Sequence, residues 1–406
     1  MSLVSGLRRS WRGLAPEGLR TAAQPLISPL LTAHVRRQAR RAHGADGAAG
    51  GPLRIVGYFS GSNGIAASAR LAARAFAALG TPVEEVDATG AALTWEAKGP
   101  APTPASAWIF HLNPPELLAT LGQMGAARLI GPRYGYWAWE LPQAPAAWLK
   151  DAALVDEVWV PSTYVGQALA GARAPVRVVP HPLFLEDYEG VQPLPRTAAF
   201  QAVTLFDFNS SVARKNPYGA LEAFIRAFGE DPTAQLVIKT QNGARFPKAL
   251  EALRRAAPAN VEVIDAAWPY EQVKGLIAGA DVLISLHRAE GFGLTPAEAL
   301  ALGTPVVATN WSGVTDFLDA EVAVMIAAGR APVEDTQGIY AGQTWADPDI
   351  GEAAAALRAL RTDPDRRAQL AAAGKRRVAE RLSPQAWFTT LPDAVKAAAM
   401  RAVQGR

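Results

Sequence analysis

The chain contains no cysteine. Disulfide staples, thiolate metal ligands and a cysteine nucleophile are therefore excluded, and the composition suits a reducing compartment. Long apolar runs are missing too. No stretch of about 18 uninterrupted apolar residues occurs, so no membrane-spanning helix is expected. Nor does the N-terminus read as a signal peptide, because arginines and prolines interrupt it before an apolar core develops. Charged residues are few, 19% against 50% hydrophobic, a balance that favours packed interiors over disorder. At 406 residues the chain is too long for one ordinary core, and more than one domain is expected.

The formal charge of +3 is unevenly spread. Arg8, Arg9, Arg12, Arg20, Arg36, Arg37, Arg40 and Arg41 face only Glu17 and Asp46 within the first fifty residues, which leaves the rest slightly acidic. With Leu3, Val4, Leu7, Trp11, Leu14, Leu26, Ile27, Leu30 and Leu31 interspersed, this extension (1–51) suits peripheral contact with an anionic membrane surface. A solvated or poorly ordered extension, or one packed along the first domain, is the plainer alternative. Nucleic acid is not expected as a partner, because no basic stripe with interleaved aromatics continues into the body.

Ala42 to Pro52 reads as a linker, rich in Gly and Ala. Beyond it, short β-like runs alternate with helical periodicity, the mark of parallel α/β sheets. Strands are expected at Leu53–Phe59, Pro82–Val86, Ala107–Phe110, within Leu129–Trp139, and at Glu157–Val160 and Val176–Val179. A helix is expected at Ile65–Leu79, with Ala66, Ala69, Ala73, Phe76 and Ala77 giving it a small-residue face. The proline-studded stretch Val191–Arg196 breaks the series. A second one follows, with strands at Ala202–Phe206, Gln235–Lys239, Val261–Ile264, Val282–Ser285 and Pro305–Ala308, then helices at Ile350–Thr362, Asp365–Arg381 and Pro384–Val403. The expectation is two Rossmann-like domains, 52–190 and 196–383, facing across a cleft, with the last helix (384–406) returning to the first.

The segment Ser285–Glu298, reading SLHRAEGFGLTPAE, leaves a strand and opens a helix. Backbone N–H groups of Gly291, Phe292, Gly293 and Leu294, with the helix dipole behind them, would favour an anion. Glu290 and Glu298 can both face the cleft, and carboxylates accept hydrogen bonds from sugar hydroxyls. Thr295, Pro296 and Glu298 equally fit a capping box, in which Glu298 would only reach back to the cap amide.

Here the chain resembles the retaining family 4 glycosyltransferases. Glu290 and Glu298 fit that family's E-x7-E pattern, and Pro296–Thr309 (PAEALALGTPVVAT) continues it. The resemblance runs through nearly all of residues 53–360 and implies the GT-B fold. It also implies a nucleoside-diphosphate sugar donor of the UDP or GDP type, hexose transfer with retention, and no metal or other cofactor. Glu298 would hold the donor ribose, Glu290 the transferred sugar, and the loop amides with Thr295 the sugar and diphosphate. In FDFNSSVARKNP (206–217), Lys215 is similar to the family's diphosphate-binding lysine. Many members carry an arginine after the preceding strand, where this chain has Phe206-Asp207-Phe208, so Arg214, in preference to Arg288, is expected to supply the second cation.

In the first domain, Gly61–Gly64 and Ile65 form the turn that similar enzymes place near donor phosphates and acceptor. The same turn reads alternatively as a degenerate dinucleotide loop, with Asp87 as the ribose-binding acid of an NAD(P)-dependent oxidoreductase. It lacks G-x-G-x-x-G, however, and that reading leaves Glu290, Glu298 and Lys215 unexplained. A non-catalytic scaffold on the same fold is a third possibility. Tyr136–Pro142 (YWAWELP) resembles a sub-branch with a W-x-W-E segment. Trp137 could stack on a sugar ring, and Glu140 could bind or help deprotonate an acceptor hydroxyl, with packing as the alternative for the indoles. His287, His111 and His181 are candidates for ligand contact or for structural hydrogen bonding. Asp347-Pro-Asp349 and Asp363-Pro-Asp365 mimic a metal-binding D-x-D but sit where helices begin and read as caps. The expectation is a cytoplasmic transferase acting on a glycan or lipid-linked acceptor in surface polysaccharide or glycoconjugate synthesis.

Overall fold

The computed structural model describes residues 29–40, 50–61, 64–335 and 340–404. Two parallel six-stranded sheets form in series. The first contains β1 (Leu53–Gly57), β2 (Val83–Asp87), β3 (Ala107–Phe110), β4 (Arg133–Tyr136), β5 (Glu157–Val160) and β6 (Val176–Val178), in the order β2-β1-β3-β4-β5-β6. The second contains β7 (Phe200–Leu205), β8 (Ala234–Thr240), β9 (Val261–Asp265), β10 (Val282–Ser285), β11 (Val306–Thr309) and β12 (Val324–Ile326), in the order β12-β11-β10-β7-β8-β9.

Burial follows position in the sheet. Central β1 is buried along its whole length, whereas edge strand β2 carries Glu84, Glu85 and Asp87 toward solvent. Strand alternation sends Val56, Trp108 and Phe110 to one face of the first sheet and Leu53, Ile55 and Ile109 to the other. The second sheet is covered on both faces in the same way, by clusters around Phe224 and Leu357 and around Leu300 and Phe317.

Four features depart from the sequence reading, the first being edge strand β12, where no strand was expected. After β12 the chain forms an antiparallel hairpin, β13 (Ala328–Pro332) with β14 (Thr344–Pro348), where no strands were expected. The last helix is two, Pro384–Thr390 and Asp393–Gln404, because Pro392 forces the preceding Leu391 into extended geometry. Both return to the first sheet, where Trp387, Leu391 and Val395 pack with Ile55 and Phe76. In the helix Gly64–Ala78, Ala77 is exposed, and Ala72, Ala75 and Ser68 complete the buried face.

Of the basic extension, residues 29–40 form a helix that lays Leu31, Val35 and Ala39 against the first half. Arg36 is spent there on Asp151, through bonds of 2.6 and 2.8 Å, while Arg37 and Arg40 face outward. The rest of the extension, and most of the Ala42–Pro52 linker, lie outside the described residues. Among the described residues no helix is long and apolar enough to cross a membrane.

Candidate active site

The basic turn and the glycine loop meet because the backbone ties them together. Ser211 caps the short helix Val212–Lys215, and Asn216, at φ 53°, ends it and caps the next helix, Pro217–Phe228. Asn216 Nδ2 then donates to the Leu286 carbonyl at 2.8 Å, Arg288 N–H to the Arg214 carbonyl at 2.7 Å, and Arg214 Nη1 to the Ala289 carbonyl at 2.8 Å. These bonds bring Lys215 Nζ to 2.5 Å from Glu290 Oε1 and Arg214 Nη1 to 3.2 Å from Glu290 Oε2. Burial alone would raise the Glu290 carboxyl. Lys215, Arg214 and His287 outweigh it and hold the group at about 2, so the carboxylate is ionised. Burial also opposes the charge on Arg214, but Glu290, Glu140 and Tyr340 more than offset it and raise its pKa.

The helix Leu294–Leu302 starts from Gly293, and no side chain caps it. The capping box does not form: Thr295 and Pro296 already lie inside the first turn. Glu298 accepts instead from Tyr270 Oη at 2.6 Å. Its carboxyl is half-buried, and burial pushes it up to about 7 against the pull of Tyr270 and Lys274. Two glycines are required nearby. Gly293 sits at φ 98° with Val314 Cγ1 only 2.5 Å from where a Cβ would stand. At Gly313 a Cβ would lie 2.2 Å from the Gly291 carbonyl oxygen.

The first half closes over this loop. Ser162 Oγ donates to the Gly291 carbonyl at 2.6 Å, and Asp316 accepts from Thr163 N–H at 2.7 Å and from Thr163 Oγ1 at 2.5 Å. Between the halves lies a cavity of ≈ 330 Å³, within the range of small-molecule sites, about 300–1,000 Å³. Its walls include Glu290, Lys215, Arg214, His287 and residues 291–296 from the second half, and Gly64, Ile65 and Glu140 from the first.

Glu298 and Trp137 are not on that wall. Trp137 is fully buried, edge-on to Trp148 with ring centres 6.2 Å apart. The reason is alternation past the end of β4: Tyr136, Ala138 and Glu140 face the cavity, so Trp137 and Trp139 turn to the opposite side. Glu140 Oε2 accepts from Tyr340 Oη of the hairpin segment at 2.9 Å. Arg288 faces the hairpin, 3.0 Å from Asp347. Asp349 and Asp363 cap helices through the N–H groups of Glu352 and Arg366, and among the described residues no group of three or more potential metal ligands converges. Asp87 is taken by Ser60 and Thr89.

Sequence reasoning did not assemble the buried Ser68–His111–Tyr136–His181 group on the cavity wall. His111 Nδ1 lies 2.8 Å from Ser68 Oγ, its ring stacks on Tyr136 at 4.6 Å, and Tyr136 Oη lies 3.3 Å from His181 Nδ1. Burial, with His181 adding to it, pushes His111 down to about 3, and burial puts His181 at about 4, so both rings are neutral. His111 Nε2 is buried without a hydrogen-bond partner among the described residues. Its position at a strand end was the available signal.

Residues 208–377 match the family model for glycosyl transferases group 1. This segment resembles a glycosyltransferase group 1 domain. It contains the basic turn, the glycine loop and both glutamates. A glycogen synthase from Bordetella petrii is 27% identical over 206 residues, 50% of this chain and 38% of that protein, so the chain matches well under half of that relative's length. Among solved structures, sucrose-phosphate synthase from Thermosynechococcus elongatus is 14% identical with a TM-score of 0.60, covering 86% of this chain and 98% of that one. Anabaena HepE, solved with UDP and glucose, is 14% identical with a TM-score of 0.57, covering 83% and 97%. The fold is GT-B, the two parallel sheets of the chain matching those of GT-B glycosyltransferases.

Proposed function

We propose that the chain is a retaining, metal-independent hexosyltransferase that uses a UDP- or GDP-sugar and a glycan or lipid-linked acceptor. The observation that carries this reading is the Lys215–Glu290–Arg214 group set beside an uncapped helix N-terminus in the cleft between the sheets. Two fixed cations and the helix dipole can stabilise the charge that develops on a leaving diphosphate without a metal ion. Glu290 then orients the sugar, Glu298, one helical turn beyond Leu294 at the cavity's edge, accepts from the ribose hydroxyls, and Glu140 meets the acceptor. The anomeric carbon loses its bond to the diphosphate oxygen and gains one to the acceptor oxygen on the same face. The acceptor proton passes to the departing diphosphate. A cytoplasmic site of action, with peripheral contact to an anionic membrane through the basic extension, completes the reading and fits surface polysaccharide or glycoconjugate synthesis.

The test is donor turnover with UDP-glucose and GDP-mannose in chelator, with the first-formed sugar followed by proton NMR. Release of one nucleoside diphosphate with the donor's anomeric configuration kept is expected, and Lys215→Ala should lower kcat by about 100-fold or more. An inverted first product would overturn retention. Turnover only with added magnesium would overturn metal independence.

A further inference from the structure

The carboxylate assigned above to the donor ribose does not stand alone. Tyr270 Oη donates to Glu298 Oε1 at 2.6 Å, and Tyr188 Oη lies 3.2 Å from Tyr270 Oη. Once Glu298 is ionised it only accepts, so the Tyr270 proton is then committed to it and the Tyr270 oxygen is left to accept from Tyr188. Tyr188 follows the short turn Leu185–Asp187, on the segment joining the two halves. That segment is anchored on both sides. The Asp187 carboxylate pairs with Arg74 of the first half at 2.7 Å, and its carbonyl accepts from Lys274 Nζ of the second at 2.5 Å. The Lys274 ammonium also lies 5.3 Å from the Tyr270 ring centre and 5.7 Å from that of Tyr188.

We infer that Tyr270 and Tyr188 are positioning residues that hold Glu298 for the donor ribose and tie its orientation to the segment linking the two halves. The inference rests on Glu298 being the ribose-binding carboxylate. A free glutamate side chain must lose its rotamer freedom on binding, and a bond already made to Tyr270 removes part of that cost. Oε2 and the second lone pair of Oε1 remain for two hydroxyls, which matches a ribose diol. Simple packing between the segment and the helix Tyr270–Gly279 would use the rings and not the oxygens. Tyr270 is 46% exposed, so loss of its hydroxyl leaves little buried packing to disturb.

The experiment is calorimetric titration of the full chain with UDP and with GDP, for the wild type and for Glu298→Gln, Tyr270→Phe and Tyr188→Phe. Donor-hydrolysis kcat is measured on the same samples. Tyr270→Phe should weaken the nucleotide that binds by about tenfold, the scale of one hydrogen bond to a charged group, with kcat little changed. Tyr188→Phe should weaken it in the same direction and by less. Neither phenylalanine should add to the loss in Glu298→Gln, because all three act on one contact. If Glu298→Gln weakens binding and both phenylalanine variants bind like the wild type, the positioning role is wrong although the ribose assignment stands. If Glu298→Gln changes nothing, or neither nucleotide binds, the ribose assignment fails and takes this inference with it.

Discussion

Glu290 and Glu298 are the same residue type eight positions apart, yet their surroundings push them in opposite directions. Burial costs each of them, but only Glu290 has cations close enough to reverse the effect. The sign for Glu298 follows from its raised pKa. A folded-state value of about 7 against an ordinary 4.5 means that the native state holds its proton more tightly than the unfolded chain. The associated stability is fully present below 4.5 and is lost as pH rises toward 7. Thermal melts across that range should show Glu298→Gln gaining on the wild type as pH rises, then levelling off above 7. A gap that does not change with pH would contradict the assignment. Donor hydroxyls favour the ionised carboxylate, so nucleotide affinity should rise through the same window. Part of this scale was legible: the order of glycines, lysine and acids singled out Lys215 and Glu290, which the structure brings together. What was misjudged around β4 was also available, since Tyr136, Ala138 and Glu140 on one side require Trp137 and Trp139 on the other.

At the scale of elements, the strands were readable because β-branched and aromatic runs bounded by turn residues have few alternatives. The hairpin β13–β14 was not. Its strands carry little apolar periodicity, and what holds them is pairing to each other, bonds to Arg288 through Ala346 and Asp347, and contact with the first half through Tyr340 to Glu140 and Gln343 to Gln143. The capping box failed for a related reason. Gly293 at positive φ lets the helix begin earlier than its Thr-Pro pair suggests. Gly293→Ala should therefore cost about 1–3 kcal/mol in chemical denaturation, the scale of a strained backbone residue. Gly313→Ala should displace the Gly291 carbonyl and lower donor turnover by a larger factor than its effect on stability would explain. Wild-type kinetics in both variants would mean that the loop tolerates a shift the geometry forbids.

For the whole molecule, two parallel sheets in series dictate a cleft, but the contacts that close it come from residues without any local signature. Ser162 starts the helix Thr163–Ala168, and Asp316 ends the short turn Ser312–Asp316. Together they bridge the halves beside the glycine loop. Asp316→Ala removes both bonds to Thr163 and should increase the radius of gyration by X-ray scattering, with nucleotide affinity reduced. An unchanged scattering curve would show that other contacts set the closure. The helix at 29–40 belongs to the same scale. Arg36→Ala leaves Asp151, 3% exposed, without its guanidinium, and should cost about 1–3 kcal/mol in urea unfolding, discounted for the partial exposure of Arg36.

Binding of a nucleoside diphosphate in the cleft between Lys215 and Glu298 decides the proposed function. It is tested most directly by the shift in melting temperature with UDP, GDP, ADP and NADH, each in chelator and then with magnesium, for the wild type and Glu298→Ala. A ligand that binds only the folded state raises the midpoint by mass action, so millimolar nucleotide reveals even modest affinity. A shift with UDP or GDP that is independent of magnesium and reduced in Glu298→Ala is expected. A shift with NADH alone, or none with any nucleotide, would contradict it.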